Sequence, residues 1–179
     1  MALIVPFGGS HPSIHPSCYI ADNATLTGDI TIGADSSIWY QVVIRGDANK
    51  IVIGDRVNVQ DASIVHGTHG RGDTIIGNDV SIGHRAIIHG CTIADRVLIG
   101  MGAIVLDDAI IPEDVIVAAG ALVTEGKKLE SGFLYAGVPA VKKKEIDPAM
   151  LQVYIDGTAQ TYVQLAKEYL KIRNVENGK

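Results

Sequence analysis

Rings, thiols and surplus basic charge are all scarce in this sequence. Aromatic residues make up 5% of the 179-residue chain, while hydrophobic residues reach 47%. The core must be aliphatic, which excludes a globule nucleated on packed rings and favours many small strands. Two cysteines, Cys18 and Cys91, exclude a disulfide framework. Cys91 lies two residues from His89, so it reads either as a metal ligand or, with more weight, as a buried free thiol. A net charge of −5 argues against nucleic acid as a partner. The basic run Lys142, Lys143, Lys144 reads as a solvated strand-to-helix connection. No apolar run approaches the roughly 20 residues of a membrane span. Residues 1–9 lack the charged and apolar regions of a signal peptide. The expectation is a chain with no membrane partner and a cytoplasmic location.

Glycine is abundant, at 20 residues, with no collagen-like period, which points to many turns. The stronger signal is a six-residue repeat. Aliphatic residues open its units at Ile20, Leu26, Ile32, Ile38 and Ile44, at Ile53, Val59 and Val65, at Ile76, Ile82 and Ile88, and at Ile93, Ile99, Val105, Ile111, Val117 and Val123. Every opener is Ile, Leu or Val. Four residues later the side chain is mostly Ala, Ser, Thr or Val. A period of six is neither 3.6 nor 2. It fits short straight strands joined by sharp corners, with the large residue inward and the small one near the corner. Three such faces make one coil of a triangular prism, and residues 20–128 make about five to six coils. Coils stack through backbone hydrogen bonds about 4.8 Å apart.

The tail changes character. Asp147-Pro148 can start a helix with Pro in its first turn. Leu151, Ile155, Tyr162, Leu165, Ala166, Tyr169 and Ile172 then recur near helical spacing, with Gly157 as a weak point. The chain divides into a β-helix domain over 1–146, with an N-terminal lead-in, and a helix over 147–179 that packs back on it or on a neighbouring chain.

The period breaks three times. Three residues are added between Ile44 and Ile53. Five are added between Val65 and Ile76, so 67–74 should protrude as a loop. The unit opened by Ile88 is one residue short. Counting faces rather than residues, Arg45, His66 and His89 each follow an opener and are separated by whole coils, so they should share one column. Asp61 and His84 each lie two after an opener and form a second column, with Gln60 beside Asp61. His66 and His89 can share one ion, because stacked strands bring imidazoles within reach of metal–nitrogen distances near 2.0–2.1 Å. His84 sits on another face. It joins them by bending around a corner or by coming from another molecule. The second route is natural in a homotrimer, with three sites at its interfaces and Arg45 free to meet Asp61 across the seam. Three histidines leave a fourth position open, the pattern of a catalytic zinc.

The stretch Arg45-Gly46-Asp47, then Asn58-Val59-Gln60-Asp61, His66, His84 and His89 resembles the γ-class carbonic anhydrases and their short bacterial homologues, within the hexapeptide-repeat superfamily. The resemblance implies an all-β solenoid, a left-handed parallel β-helix of hexapeptide repeats with a C-terminal α-helix. It implies metal-dependent, reversible hydration of CO2 to bicarbonate at trimer interfaces. His66, His84 and His89 would hold Zn2+, with Fe2+ or Co2+ also compatible with nitrogen ligands. Arg45, Asp47 and Asp61 would be interface residues around the site, Gln60 would orient the attacking water, and Asn58 would lie near substrate. Tyr162 resembles a tyrosine that reaches the site from the C-terminal helix of the short homologues. Two departures stand out. Ala48 replaces a glutamate, and the loop His69-Gly70-Arg71-Gly72-Asp73 lacks the family's proton-shuttle glutamate. His69 is either a replacement shuttle or a plain loop histidine.

Other readings are a hexapeptide acyltransferase, a metal-dependent thioesterase and a non-catalytic metal-binding scaffold. Ala136-Gly137-Val138-Pro139-Ala140 is similar to a segment of the acyltransferases, but the carbonic anhydrase-like branch has it too. Arg-Gly-Asp at 45–47 and 71–73 carries no adhesion reading without a secretion signal. Trp39 reads as an outward interface or surface anchor.

Overall fold

The computed structural model describes residues 1–176. It is a left-handed parallel β-helix closed by one C-terminal helix, as the repeat and the resemblance led us to expect. Every opener from Ile20 to Val123 lies inside one aliphatic core. Burial of each such side chain stabilises the fold by about 1.5–3 kcal/mol.

The small inner positions follow a sharper rule than the sequence suggested. In the regular units Val80, Ala86, Val97, Ala103, Ala109, Val115 and Ala121 are all buried. At the breaks, the residues four after an opener (Ala48, His69 and Thr92) are not buried. Ile51, Thr74 and Cys91 fill the interior instead. Each lies two before the next opener. The strand that follows a corner sets the phase, so the insertion is expelled and the next strand restarts the count.

Strands form two sheets of 11 and 8 members. In the smaller sheet every neighbour is parallel except the last strand, Val141–Glu145, which pairs antiparallel with Phe133–Ala136. That leaves seven parallel levels on one face (8 − 1). The stack is taller than residues 20–128 alone imply, because Leu3–Val5 and Ser13–Ile14 add pairings at its base and Phe133–Ala136 adds a level at its top. Lys142, Lys143 and Lys144 therefore lie in an exposed edge strand rather than in a connection. Charged residues there oppose edge-to-edge pairing.

The first insertion makes no loop. Val43–Ile53 is an 11-residue strand whose start pairs with Ile64–His66 and whose end pairs with Thr74–Ile76. It bends over a corner and carries Arg45 and Asp47 with it. Sharp corners elsewhere use left-handed backbone. Asp35, Arg56, Asp79, Arg96 and Asp114 lie at φ between 54° and 59° along one edge of the prism, a conformation that costs non-glycine residues roughly 1–2 kcal/mol. Arg56 donates to Asp79 at 2.7 and 2.8 Å, and Arg96 to Asp114 at 2.8 Å. The edge thus carries an alternating charge ladder.

Asp147 caps the tail, its Oδ1 accepting from Met150 N at 2.8 Å, with Pro148 first in the helix. The helix passes through a π-turn over Leu151–Asp156 and continues as Gly157–Glu176. Asp156 joins the charge ladder by pairing with Arg96. The long helix covers the smaller sheet. Trp39 points away from the prism, as expected, but is buried beneath the helix, 5.5 Å from the Tyr162 ring and 5.3 Å from that of Tyr169. Among the described residues no helix is long and apolar enough to cross a membrane.

Candidate metal centre

Adjacent coils bring His66 and His89 into direct register, and their strands pair residue for residue. The rings meet edge to face, with centroids 5.3 Å apart. His66 Nδ1 lies 3.3 Å from His89 Nε2. The third member of the column joins from below. Arg45 Nη2 is 3.1 Å from His66 Nε2, and Arg45 Nη1 donates to Asp47 Oδ2 at 2.7 Å. Asp47 Oδ1 stands 3.2 Å from the same His66 nitrogen. Burial and the Arg45 guanidinium hold the His66 pKa below its ordinary value. A neutral ring has one lone pair, and it lies on Nδ1, toward His89, when Nε2 carries the proton and donates it to Asp47 Oδ1.

The second column is separate. His84 Nδ1 lies 2.8 Å from Asp61 Oδ2, with both side chains 40% exposed. A shallow recess lined by His84, Arg85, Met101 and Gly102 opens beside it. Among the described residues no three His, Cys, Asp or Glu side chains of one chain are grouped to hold an ion.

Asn58 and Gln60 come from the strand run beneath the C-terminal helix and are buried. Gln60 Nε2 donates to Asn58 Oδ1 at 3.0 Å, and Asn58 Nδ2 donates to Ser81 Oγ at 2.8 Å. This relay immobilises the Gln60 amide next to Asp61. Tyr162 approaches from the helix. Burial pushes its phenol pKa up, and the nearby Asp61 charge pushes it further. His69 is exposed on the 67–73 loop. Cys91 is in the prism interior, 1% exposed, and burial pushes its thiol up to about 12. It is a packing residue facing away from the histidines.

Sequence reading missed Asp107. Its Oδ2 lies 2.9 Å from His89 Nδ1 and accepts from Thr68 Oγ1 at 3.1 Å, while Oδ1 accepts from Thr68 N at 3.3 Å. Burial alone would raise its pKa, but the bonds from His89 and Thr68 hold it below the ordinary value. Phase held the clue, since Asp107 lies two after the opener Val105, one coil above Gly90 in the short unit.

The donor set fits a metal ion in part. Two nitrogens bound at about 2.0–2.1 Å to one tetrahedral ion lie about 3.3 Å apart, the separation of the facing His66 and His89 nitrogens. The carboxylate on His89 Nδ1 accepts only, so that nitrogen carries the proton and Nε2 is free. Among the described residues, no third His, Cys, Asp or Glu of the same chain is grouped with these two nitrogens.

Comparison with known proteins agrees with the fold. A family model described as bacterial transferase hexapeptide (six repeats) matches residues 11–46 and 73–106. The chain is 39% identical over 173 residues to the mitochondrial gamma carbonic anhydrase 2 of Arabidopsis thaliana, covering 94% of this chain and 60% of the plant protein. It is 42% identical over 173 residues to the protein YrdA of Escherichia coli, covering 92% of each. A solved structure from Bacillus cereus, provisionally named an acetyltransferase, superposes with a TM-score of 0.93 at 40% identity, covering 96% of this chain and 98% of the other.

Proposed function

Since the chain belongs to the γ-class carbonic anhydrase-like family of hexapeptide-repeat proteins, we propose that it catalyses the reversible hydration of CO2 to bicarbonate. In a homotrimer, His66 and His89 of one chain and His84 of the next would hold the metal ion. The observation that carries this reading is the 3.3 Å approach of two imidazole nitrogens from stacked, register-paired strands. The chain spans 60% of the plant relative's length.

When bound, the ion, zinc or alternatively iron or cobalt, makes an adjacent water acidic enough to attack near neutral pH. The protein's own groups do the rest. Burial and the Arg45 guanidinium favour the neutral form of His66. The Gln60 amide, held by Asn58 and Ser81, orients the attacking oxygen toward the CO2 carbon. Tyr162 and the helix behind it wall the substrate space from bulk water. Arg45, Asp47 and Asp61 keep the chains in register across the seam. The proton released as bicarbonate forms leaves toward the open loop, where His69 is the exposed acceptor in place of a glutamate.

The test is anaerobic purification, light scattering for oligomeric state, metal analysis, and CO2 hydration assays with zinc, iron or cobalt supplied. The expected result is a trimer with about one ion per chain, and hydration lost in His84→Ala. A trimer that binds metal but does not hydrate CO2 keeps the site and overturns the reaction. A second reading, acyl transfer, takes its support from the Bacillus cereus relative. Turnover of an acyl-CoA thioester that survives chelation would favour it, whereas turnover lost with the metal would favour a thioesterase.

A further inference from the structure

The short unit at Ile88 has a physical consequence at Gly90. A Cβ on Gly90 would come within 1.9 Å of Asp107 Oδ1 and 2.8 Å of its Cγ. Only glycine lets the carboxylate of the coil above lie over this corner. There it meets His89 from one side and Thr68, of the 67–73 loop, from the other. The same loop is anchored further out by Arg71, which pairs with Glu125 and lies 3.6 Å from Asp108 and 4.0 Å from Asp107. The missing residue in the repeat and the added residues of the loop therefore converge on one side chain.

We propose that Asp107 is a positioning residue for the metal centre: it fixes the His89 ring with Nε2 unprotonated and aimed at His66, and it couples that ring to the 67–73 loop through Thr68. This inference rests on His89 being a ligand. The chemistry is constrained at each atom. Thr68 N and Oγ1 both donate to the carboxylate, and an ionised carboxylate only accepts, so the contact to His89 Nδ1 must carry the imidazole's proton. The lone pair then belongs to Nε2, the nitrogen facing His66 at 3.3 Å. A carboxylate behind a ligating imidazole sets its tautomer and orientation and raises its basicity. Asp107 is 8% exposed, so water competes little for these bonds.

The experiment uses the full chain as Asp107→Asn, Asp107→Ala and Thr68→Val, each checked for folding by circular dichroism and thermal melting. Long-range 1H–15N spectra of the metal-free protein read the tautomer. Wild-type His89 is expected as the Nδ1–H form, with the Nε2–H form appearing in Asp107→Ala. Competition between protein and chelator for Zn2+ or Co2+ should show affinity falling about 10–100-fold in Asp107→Ala. Asp107→Asn, which keeps an acceptor without charge, should fall less, and Thr68→Val least. If Asp107→Ala does not fold, the other two variants carry the test. Unchanged tautomer or unchanged affinity in a folded Asp107 variant would overturn this inference alone. A wild-type protein that takes up no metal would overturn it together with the ligand assignment.

Discussion

From Ile93 to Val123 the six-residue period runs without a break, whereas between Ile44 and Ile93 it breaks three times. The two stretches have the same aliphatic interior and the same corners. They differ in what they turn outward. Directly after their openers the regular coils carry Ala94, Gly100, Leu106, Pro112 and Ala118. The interrupted ones present Arg45, Asp47, Asn58, Gln60, Asp61, His66, His84 and His89. The hexapeptide family model matches up to residue 46 and resumes at 73, so its gap covers the first two breaks. A solenoid's stability comes from stacking alike units. A perfect repeat has no reason to gather unlike side chains at one place. Each break costs regularity and in return moves a group out of phase.

The largest effect that would sharpen this contrast is loss of metal without loss of fold. His89→Ala should reduce bound metal from about one ion per chain to near none by elemental analysis, while the β-sheet circular dichroism spectrum is retained. Metal retained in full by His89→Ala would mean that the interrupted coils serve some other purpose.

The converse change belongs in the regular coils. Ile99 is fully buried, and Ile99→Ala should destabilise the protein by about 2–5 kcal/mol in denaturant titrations. Its metal content per folded chain should stay at the wild-type level. A matching loss of metal would break the division between a scaffold stretch and a site stretch.

Cys91 gives a pH test inside the interrupted region. Burial raises its folded pKa from 9.0 to about 12. The thiol's contribution is therefore fully present below the unfolded value and is lost as pH rises from about 9 to about 12. Metal-free wild-type protein should lose stability across that window more steeply than Cys91→Ala. Parallel curves for the two would mean that the thiol is not sealed in the core.

Much of this was legible in the sequence because it follows phase. The openers, the pairing of His66 with His89, and the separate column of Asp61 and His84 all come from counting faces. What escaped was either regular or dependent on tertiary cover. Asp107 keeps the period, so it reads as an ordinary polar residue until the fold lays its carboxylate over Gly90, between His89 and Thr68. Trp39 reads as either an interface or a surface anchor, and what covers it is undecided in sequence because the helix comes more than a hundred residues later. The Lys142–Lys144 run reads as linker because solvated edge strands and linkers share a composition. The π-turn before Gly157 has no sequence period of its own.

The finest test compares two glycines on one edge of the prism. Gly90, Asp108 and Gly126 stack there, linked by Asp108 N donating to Gly90 O at 2.7 Å and Gly126 N donating to Asp107 O at 2.9 Å. Gly90 has φ +54° and Gly126 φ +66°, so alanine at either pays a similar backbone penalty, about 1–2 kcal/mol. Their surroundings differ. A Cβ at 126 meets nothing within 4 Å, while one at 90 meets the Asp107 carboxylate at 1.9 Å. Gly126→Ala should therefore lower stability by the backbone term alone and leave metal affinity unchanged. Gly90→Ala should lower stability further, by roughly the 1–3 kcal/mol of displaced charge-assisted hydrogen bonds, and should weaken metal binding because Asp107 has to leave His89. Equal stability losses with equal metal affinity would mean that the two corners are interchangeable, and that the shortened unit at Ile88 has no role beyond the turn it makes.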